Sequence, residues 1–380
     1  MTLYLDHAAT SPLRPQARDA FLRACEIGAN ASSIHGPGRK AKVLMEDART
    51  TILERLNAIG AADLVFTSGG TEANALALHH GDIYDYIVIS EGEHDSVYIT
   101  AEETWRETGL SAGKPVVKLP LTRDGQADLD ALPAILDRPG YAFVALMLAN
   151  NETGVINDIA RAAQIVHAHN GWLHVDAVQA LGKIAIDFEA LGADSLSLSA
   201  HKVGGPQGVG ALVHERGRFL EPLLIGGGQE RGLRAGTENV PGIAAFAAAV
   251  DACHGLDKAV QAAQADIESR LRDHGIEIMG EGAPRVPGIL CLAQPHWTSM
   301  LQLIHLDMAG IATSAGSACS SGKVKASRVV TAMGRPDLAD KVLRLSAGWT
   351  TQPGDWLAFW DVWRVGYIMA SRGEPVKEKA

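Results

Sequence analysis

The sequence predicts an α/β protein with a mostly parallel sheet in a large domain and a smaller α+β domain toward the C-terminus. Three observations predict it. Short apolar runs at 63–67, 86–90, 141–149, 172–175 and 195–198 alternate with stretches of helical periodicity. That is the rhythm of β-α-β units whose strands are buried on both faces. Thr71, His94, Asn151, Asp176, Ser199, His201 and Lys202 each closely follow one of these runs. Ligands of open parallel sheets bind outside those strand ends. Beyond Pro241 the rhythm stops, and long helices at 243–253 and 258–272 precede short strands.

In chain order, residues 3–5 read as a short strand. Pro15 opens a helix to Ile27, since its missing N–H costs nothing in a first turn. Residues 28–38 are a loop rich in turn formers, and 39–57 have helical periodicity. The strand 63–67 leads through Ser68-Gly69-Gly70-Thr71-Glu72 into a helix ending at His79. Strand 86–90 is followed by a helix at 97–106, and strand 116–119 by strand 141–149 and a helix at 158–169. Strands 172–175 and 195–198 follow, then 209–213 after the tight turn at Gly204-Gly205-Pro206. A Trp-rich amphipathic helix at 356–370 closes the pattern. The expected organisation is an N-terminal segment, 1–14, packing near the small domain; a large domain, 15–255; a small domain, 256–370; and a polar tail, 371–380.

The 380 residues suffice for two cores. A formal net charge of −10 argues against direct nucleic-acid or anionic-membrane binding. No apolar run reaches membrane-spanning length, and the first residues lack the pattern of a signal peptide. Cys25, Cys253, Cys291 and Cys319 form no CxxC pair, so no metal site is indicated and reduced thiols in the cytoplasm are expected.

Lys202, at the mouth of strand 195–198, reads either as a solvated loop lysine or as an amine that forms a Schiff base with an aldehyde cofactor. Asp176, at the end of the neighbouring strand, reads either as a helix cap or as the partner of a pyridine nitrogen. Pyridoxal phosphate (PLP) needs such a lysine, such an acid and several phosphate donors. The glycines of 68–72 suit a helix cap or an anion cradle, and both can hold at once. Asn151 and Gln179 offer amides to a phenolic oxygen, and His94 offers a ring to stack or to move protons. There is no GxxxxGK[ST], and GGPQGVG precedes a strand rather than a helix, so neither nucleotide fingerprint is present.

HVDAVQALGK followed by SLSLSAHKVGGPQGVGAL resembles the class V aminotransferase branch of fold-type I PLP enzymes. GGGQERGLRAGTENVPG from Gly226 and SAGSACSSG from Ser314 resemble cysteine desulfurases; YLDHAATSPL and ANNETGVI match the same family. The resemblance runs over about 4–350. It implies Lys202 as the Schiff-base lysine, Asp176 on the pyridinium, Asn151 and Gln179 on the phenolic oxygen, and His94 over the ring. It implies Gly70, Thr71, Ser199 and His201 on the phosphate. Thr237 is implied to reach the phosphate of a partner subunit's cofactor, hence a homodimer. Arg344, with Asn151, is implied to bind substrate.

The implied activity is conversion of L-cysteine to L-alanine, with the sulfur carried as a persulfide on Cys319. The sulfur then passes to an acceptor or scaffold protein, because the extended loop resembles the branch serving iron–sulfur cluster assembly and tRNA thiolation. The small residues around Cys319 bury little apolar area, so a mobile loop is expected there. Rival readings are a class V aminotransferase or selenocysteine lyase with an incidental Cys319, and a catalytically silent PLP-binding scaffold.

Overall fold

A computed structural model of the chain describes residues 2–107, 113–316 and 325–371. Its centre is a seven-stranded sheet. In spatial order the strands are Ala62–Thr67, Gly210–Glu215, Ser195–Ser199, Trp172–Asp176, Ala142–Met147, Tyr86–Ser90 and Val116–Leu119. All run parallel except Gly210–Glu215, which lies antiparallel to both neighbours. Central strands are buried along their whole length, which is why they read as continuous apolar runs.

The register brings the chemistry to one edge. Asp176 lies beside Met147 on one side and Ser197 on the other. Gly210 pairs with both Thr67 and Ser199. A Cβ on Gly210 would stand 2.5 Å from the carbonyl carbon of Gly69, so only glycine lets the loop after Ala62–Thr67 close over the sheet.

Several helices begin earlier than periodicity predicts. Gly36–Arg55 replaces 39–57, because His35 caps the N–H of Gly38 and Pro37 fits the first turn. Asp95–Glu107 and Pro353–Ser371 likewise extend 97–106 and 356–370. The sequence reading had no helix at Ser299–Met308. Its apolar residues spread around much of the helix, and Met300, Leu301, Ile304 and Met308 are exposed, so no single stripe marks it.

A second core lies beyond the large sheet. Trp356, Phe359, Trp360 and Trp363 of Pro353–Ser371 pack with Ile267 and Leu271 of Lys258–Asp273. They cover Leu290, Leu292, Leu343 and Leu345 of the antiparallel strands Ile289–Ala293 and Val342–Ser346. The N-terminal residues join this core. Leu3–Tyr4 pairs with Ile311–Ala312, Leu5 is fully buried, and the N–H of His7 donates to Ser346 O.

Leu5→Ala should therefore cost about 2–5 kcal/mol, the usual range for a fully buried leucine. Urea denaturation of the full chain checks this, and an unchanged midpoint would show that the N-terminal segment is not anchored through Leu5.

Candidate active site

A cavity of about 230 Å³ opens at the carboxyl ends of the central strands. Gly70, Thr71, His94, Asn151, Asp176, Gln179, Ser199, His201, Lys202 and Arg344 all line it. All but Arg344 meet there because the parallel strands of the large sheet deliver their ends to one edge, and Arg344 reaches the cavity from the smaller antiparallel sheet.

One wall is acidic and fully hydrogen-bonded. Asp176 Oδ1 accepts from the N–H of Val178 at 2.9 Å, and Oδ2 accepts from Asn74 Nδ2 at 2.9 Å. Asn74 Nδ2 also donates to Ser96 Oγ at 2.8 Å. Ser96 Oγ lies 2.9 Å from His94 Nδ1, which also accepts the N–H of Ser96 at 3.1 Å. His94 Nδ1 is therefore an acceptor, which puts the proton of the neutral ring on Nε2. His174, buried beneath, faces Asn74 Oδ1 at 3.1 Å; that oxygen only accepts, so His174 Nε2 donates. Burial pushes His174 down to about 3, and it stays neutral.

A second wall is built for an anion. The helix Gly70–His80 begins without a side-chain cap, and Gly69 stands at its N-cap. Its first N–H groups face the cavity with the positive end of the helix dipole. Ser199 Oγ is buried and finds no partner among the described residues. A Cβ on Gly70 would come within 2.8 Å of Val178 Cγ2 and 3.4 Å of Ser199 Cβ, so glycine keeps this cradle open. His201 leans on Thr10 Oγ1 at 3.2 Å; burial, with Lys202 and Lys183 nearby, pushes it down to about 4. An uncapped helix end and an orphaned buried hydroxyl fit a phosphate, and a hydrogen-bonded carboxylate fits a pyridinium.

Lys202 lies between these walls. Its Nζ donates to Ala8 O at 2.7 Å and Ala9 O at 2.8 Å. Gln179 Nε2 donates to the same Ala8 O at 2.8 Å.

Arg344 closes the substrate side. Val342–Ser346 is an edge strand, yet Arg344 is only 2 % exposed. Strand alternation sends Leu343 and Leu345 into the second core and Arg344 to the opposite face, toward the cavity. Its Nη2 pairs with Asp6 Oδ1 at 2.9 Å and its Nη1 donates to Asn151 O at 2.9 Å. Its Nε is buried without a partner among the described residues. Asp6 Oδ2 accepts from Ser314 Oγ at 2.8 Å. Nearby, the buried Glu152 accepts from Ser327 Oγ at 2.5 Å, and burial raises its carboxyl above the usual range.

Thr237 is exposed and does not line its own chain's cavity. Cys319, and the mobility expected around it, lie outside the described residues. Of the other thiols, Cys25 is exposed, Cys253 half-buried and Cys291 buried, where desolvation pushes it far above its ordinary value. Asn74, Ser96, Asp6 and the Ala8 and Ala9 carbonyls were missed by sequence reasoning. Asn74 had a faint signal, as a polar residue in the first turns of a helix that opens on glycines, but it reads there as capping. The carbonyls had none.

Comparison with known proteins agrees in one direction. The model of the family "Aminotransferase class-V" matches residues 3–355. A cysteine desulfurase of Cereibacter sphaeroides is 38% identical over 359 residues, 92% of each chain. Cysteine desulfurase IscS of Dictyoglomus turgidum is 36% identical, over 93% of this chain and 91% of its own. The solved structure of a NifS-like protein from Rickettsia africae superposes with a TM-score of 0.87 at 31% identity, covering 97% of this chain and 99% of its own.

Two outcomes are expected of this site. Asn74→Ala leaves His174 Nε2 with only its longer contact to Ser197 Oγ at 3.3 Å and takes one donor each from Asp176 and Ser96, so a loss of about 1–3 kcal/mol of stability is expected together with weaker PLP binding. Denaturation and a PLP titration would measure both, and wild-type values in both would remove Asn74 from the site's support. The second concerns pH. His7, His80 and His201 are pushed to about 4 and His174 to about 3. These values lie below the free value of about 6.5, so the unfolded chain binds more protons as pH falls. These rings alone should lower stability from about pH 6.5 to about pH 4, by up to ~1.4 kcal/mol per pH unit for each fully buried ring, while the buried carboxyls of Glu93 and Glu152, raised by desolvation, act in the opposite sense. His174→Gln should therefore show a smaller loss of stability between pH 7.5 and 5 than wild type, measured by urea denaturation, and an equal or larger loss would contradict this.

Proposed function

The chain belongs to the aminotransferase class-V family and groups there with the cysteine desulfurases, and from that premise we propose that it converts L-cysteine to L-alanine. The observation that carries the reading is a single cavity holding the amine of Lys202, the carboxylate of Asp176, a Ser199 hydroxyl with no partner among the described residues, and the start of the helix Gly70–His80, which has no side-chain cap there. These groups match the amine, acid and phosphate donors that PLP requires.

When bound, PLP supplies an aldehyde for amines and a protonated ring that draws electron density from the substrate's α-carbon. The chain's own groups do the rest. Asp176, held by Asn74 and Val178, keeps a proton on the ring nitrogen. Asn151 and Gln179 hold the phenolic oxygen. Gly70, Thr71, Ser199 and His201 hold the phosphate, and His94 stacks on the ring with its proton on Nε2. Lys202 would hold the aldehyde at rest, and its amine, once free, would take the α-proton of the substrate. Arg344, with Asn151, holds the substrate carboxylate; the N–H on its Nε, without a partner among the described residues, supports this role.

Cys319 takes the sulfur. Its thiol and L-cysteine become the Cys319 persulfide and L-alanine: one C–S bond breaks, one S–S bond forms, and the protons balance. The persulfide then passes to an acceptor or scaffold protein serving iron–sulfur cluster assembly or tRNA thiolation. We place the enzyme in the cytoplasm as a homodimer, with Thr237 reaching the partner's phosphate site. The exposure of Thr237 outside its own cavity supports that arrangement. Among the described residues no helix is long and apolar enough to cross a membrane.

Borohydride should fix a pyridoxyl group on Lys202, and a label on Lys183 or any other lysine would refute the assignment. After exposure to L-cysteine without reductant, mass spectrometry should find the extra sulfur on Cys319. Cys319→Ala should bind PLP normally yet lose sustained alanine release by 100-fold or more, on the order of what removing a nucleophile costs. Extra sulfur only on Cys25, Cys253 or Cys291 would overturn the sulfur route. PLP-dependent alanine formation from selenocysteine alone would favour a selenocysteine lyase.

A further inference from the structure

Lys183 is a half-buried lysine with no role in the reaction just described. It follows Gly182, whose φ of +72° turns the chain back on itself, and a Cβ there would meet Cys253 Sγ at 2.7 Å. The turn sends the Lys183 amine inward. Its Nζ donates to Gln179 Oε1 at 2.6 Å and to Gln179 O at 3.0 Å.

Gln179 is 4 % exposed and lines the cavity. Its amide has two ends of nearly equal shape and opposite chemistry, and rotation about its last bond exchanges them. Two contacts decide the orientation independently. A lysine amine in either charge state offers N–H groups, which claims Oε1. Ala8 O only accepts, which claims one N–H of Nε2. What remains to the cavity is the second N–H of Nε2, a donor.

Resting on the PLP reading above, we infer that Lys183 is a positioning residue that holds the Gln179 amide so that its N–H, and not its carbonyl, meets the phenolic oxygen of the cofactor. The opposite orientation would set two electron-rich oxygens against each other. Lys183 thus acts on the cofactor through another side chain and does not touch it.

The surroundings bear on this. Lys202, Arg344, Arg14, His7, His201 and Cys253 face the same region. Burial, then Lys202 and Arg344, push the Lys183 amine down to about 7. The ammonium has three N–H groups and the neutral amine two, so the bond to Oε1 survives titration.

Lys183→Met keeps most of the aliphatic stem and removes the donor. The readout is the pH midpoint of the visible absorbance band of bound PLP, recorded on the holoenzyme. A donor on the phenolic oxygen favours the deprotonated chromophore, so Lys183→Met should move the midpoint upward by about half a unit or more. In a Gln179→Ala background, Lys183→Met should add no further shift, because its path to the cofactor is gone. A shift of equal size in that background would show a through-space effect of the lysine charge and overturn the inference, as would an unmoved midpoint in the single variant. Circular dichroism verifies that each variant is folded. Wild type that shows no visible band, or no borohydride label on Lys202, would instead fail the PLP reading.

Discussion

Two backbone carbonyls, those of Ala8 and Ala9, are what the rest of the site depends on. A buried amine and a buried amide must find acceptors, because leaving either unmade costs more than a hydrogen bond returns. Lys202 and Gln179 both find theirs in this short stretch of chain. The same stretch carries Asp6, which engages Arg344 and Ser314. Residues 6–9 therefore hold the lysine, the amide and the arginine in one frame. The main-chain oxygens cannot be mutated away, which makes this frame more robust than one built of side chains.

The polar interior behind the cavity follows one rule throughout. The ring-facing groups are themselves held by second groups with fixed donor or acceptor character. Asp176 is held by Asn74, Asn74 by His174, and His94 by Ser96. Desolvation keeps His174 neutral, so its proton stays on one side. The cavity thus inherits its hydrogen-bond polarity from the layer beneath it.

Much of the large sheet was legible in the sequence, and the reason is physical. Strands buried on both faces read as unbroken apolar runs, and the polar residues after them stand out against that background. Asp176, Ser199 and Lys202 were found in this way. Arg344 was less legible: Val342–Ser346 alternates correctly, but the sequence does not say which face of an edge strand is covered. Its burial comes from Asp6 and the Asn151 carbonyl, which lie hundreds of positions away in the chain. Ser299–Met308 escaped because an apolar residue exposed on its outer side carries the same letter as one in the core. Asn74 escaped because a polar residue so close to a helix start reads as part of a capping pattern. The backbone acceptors of Ala8 and Ala9 leave no compositional trace.

The pairing of Leu3–Tyr4 with Ile311–Ala312 sets a schedule for the newborn chain. A ribosome delivers Leu3 first, but its strand partner is made roughly 300 residues later. At ~5–20 residues per second, that is a delay on the order of tens of seconds. During it the large sheet can form, while Leu5 and the residues around it have no second core to enter. The contact order of this one small pairing is close to the highest the chain allows, so its closure comes late. Ala8 and Ala9 meet partners made well before that, since Ser11 and Arg14 just beyond them donate to the carbonyls of His201 and Gly204, so what waits for the end of synthesis is the other side of the site, where Asp6 meets Arg344.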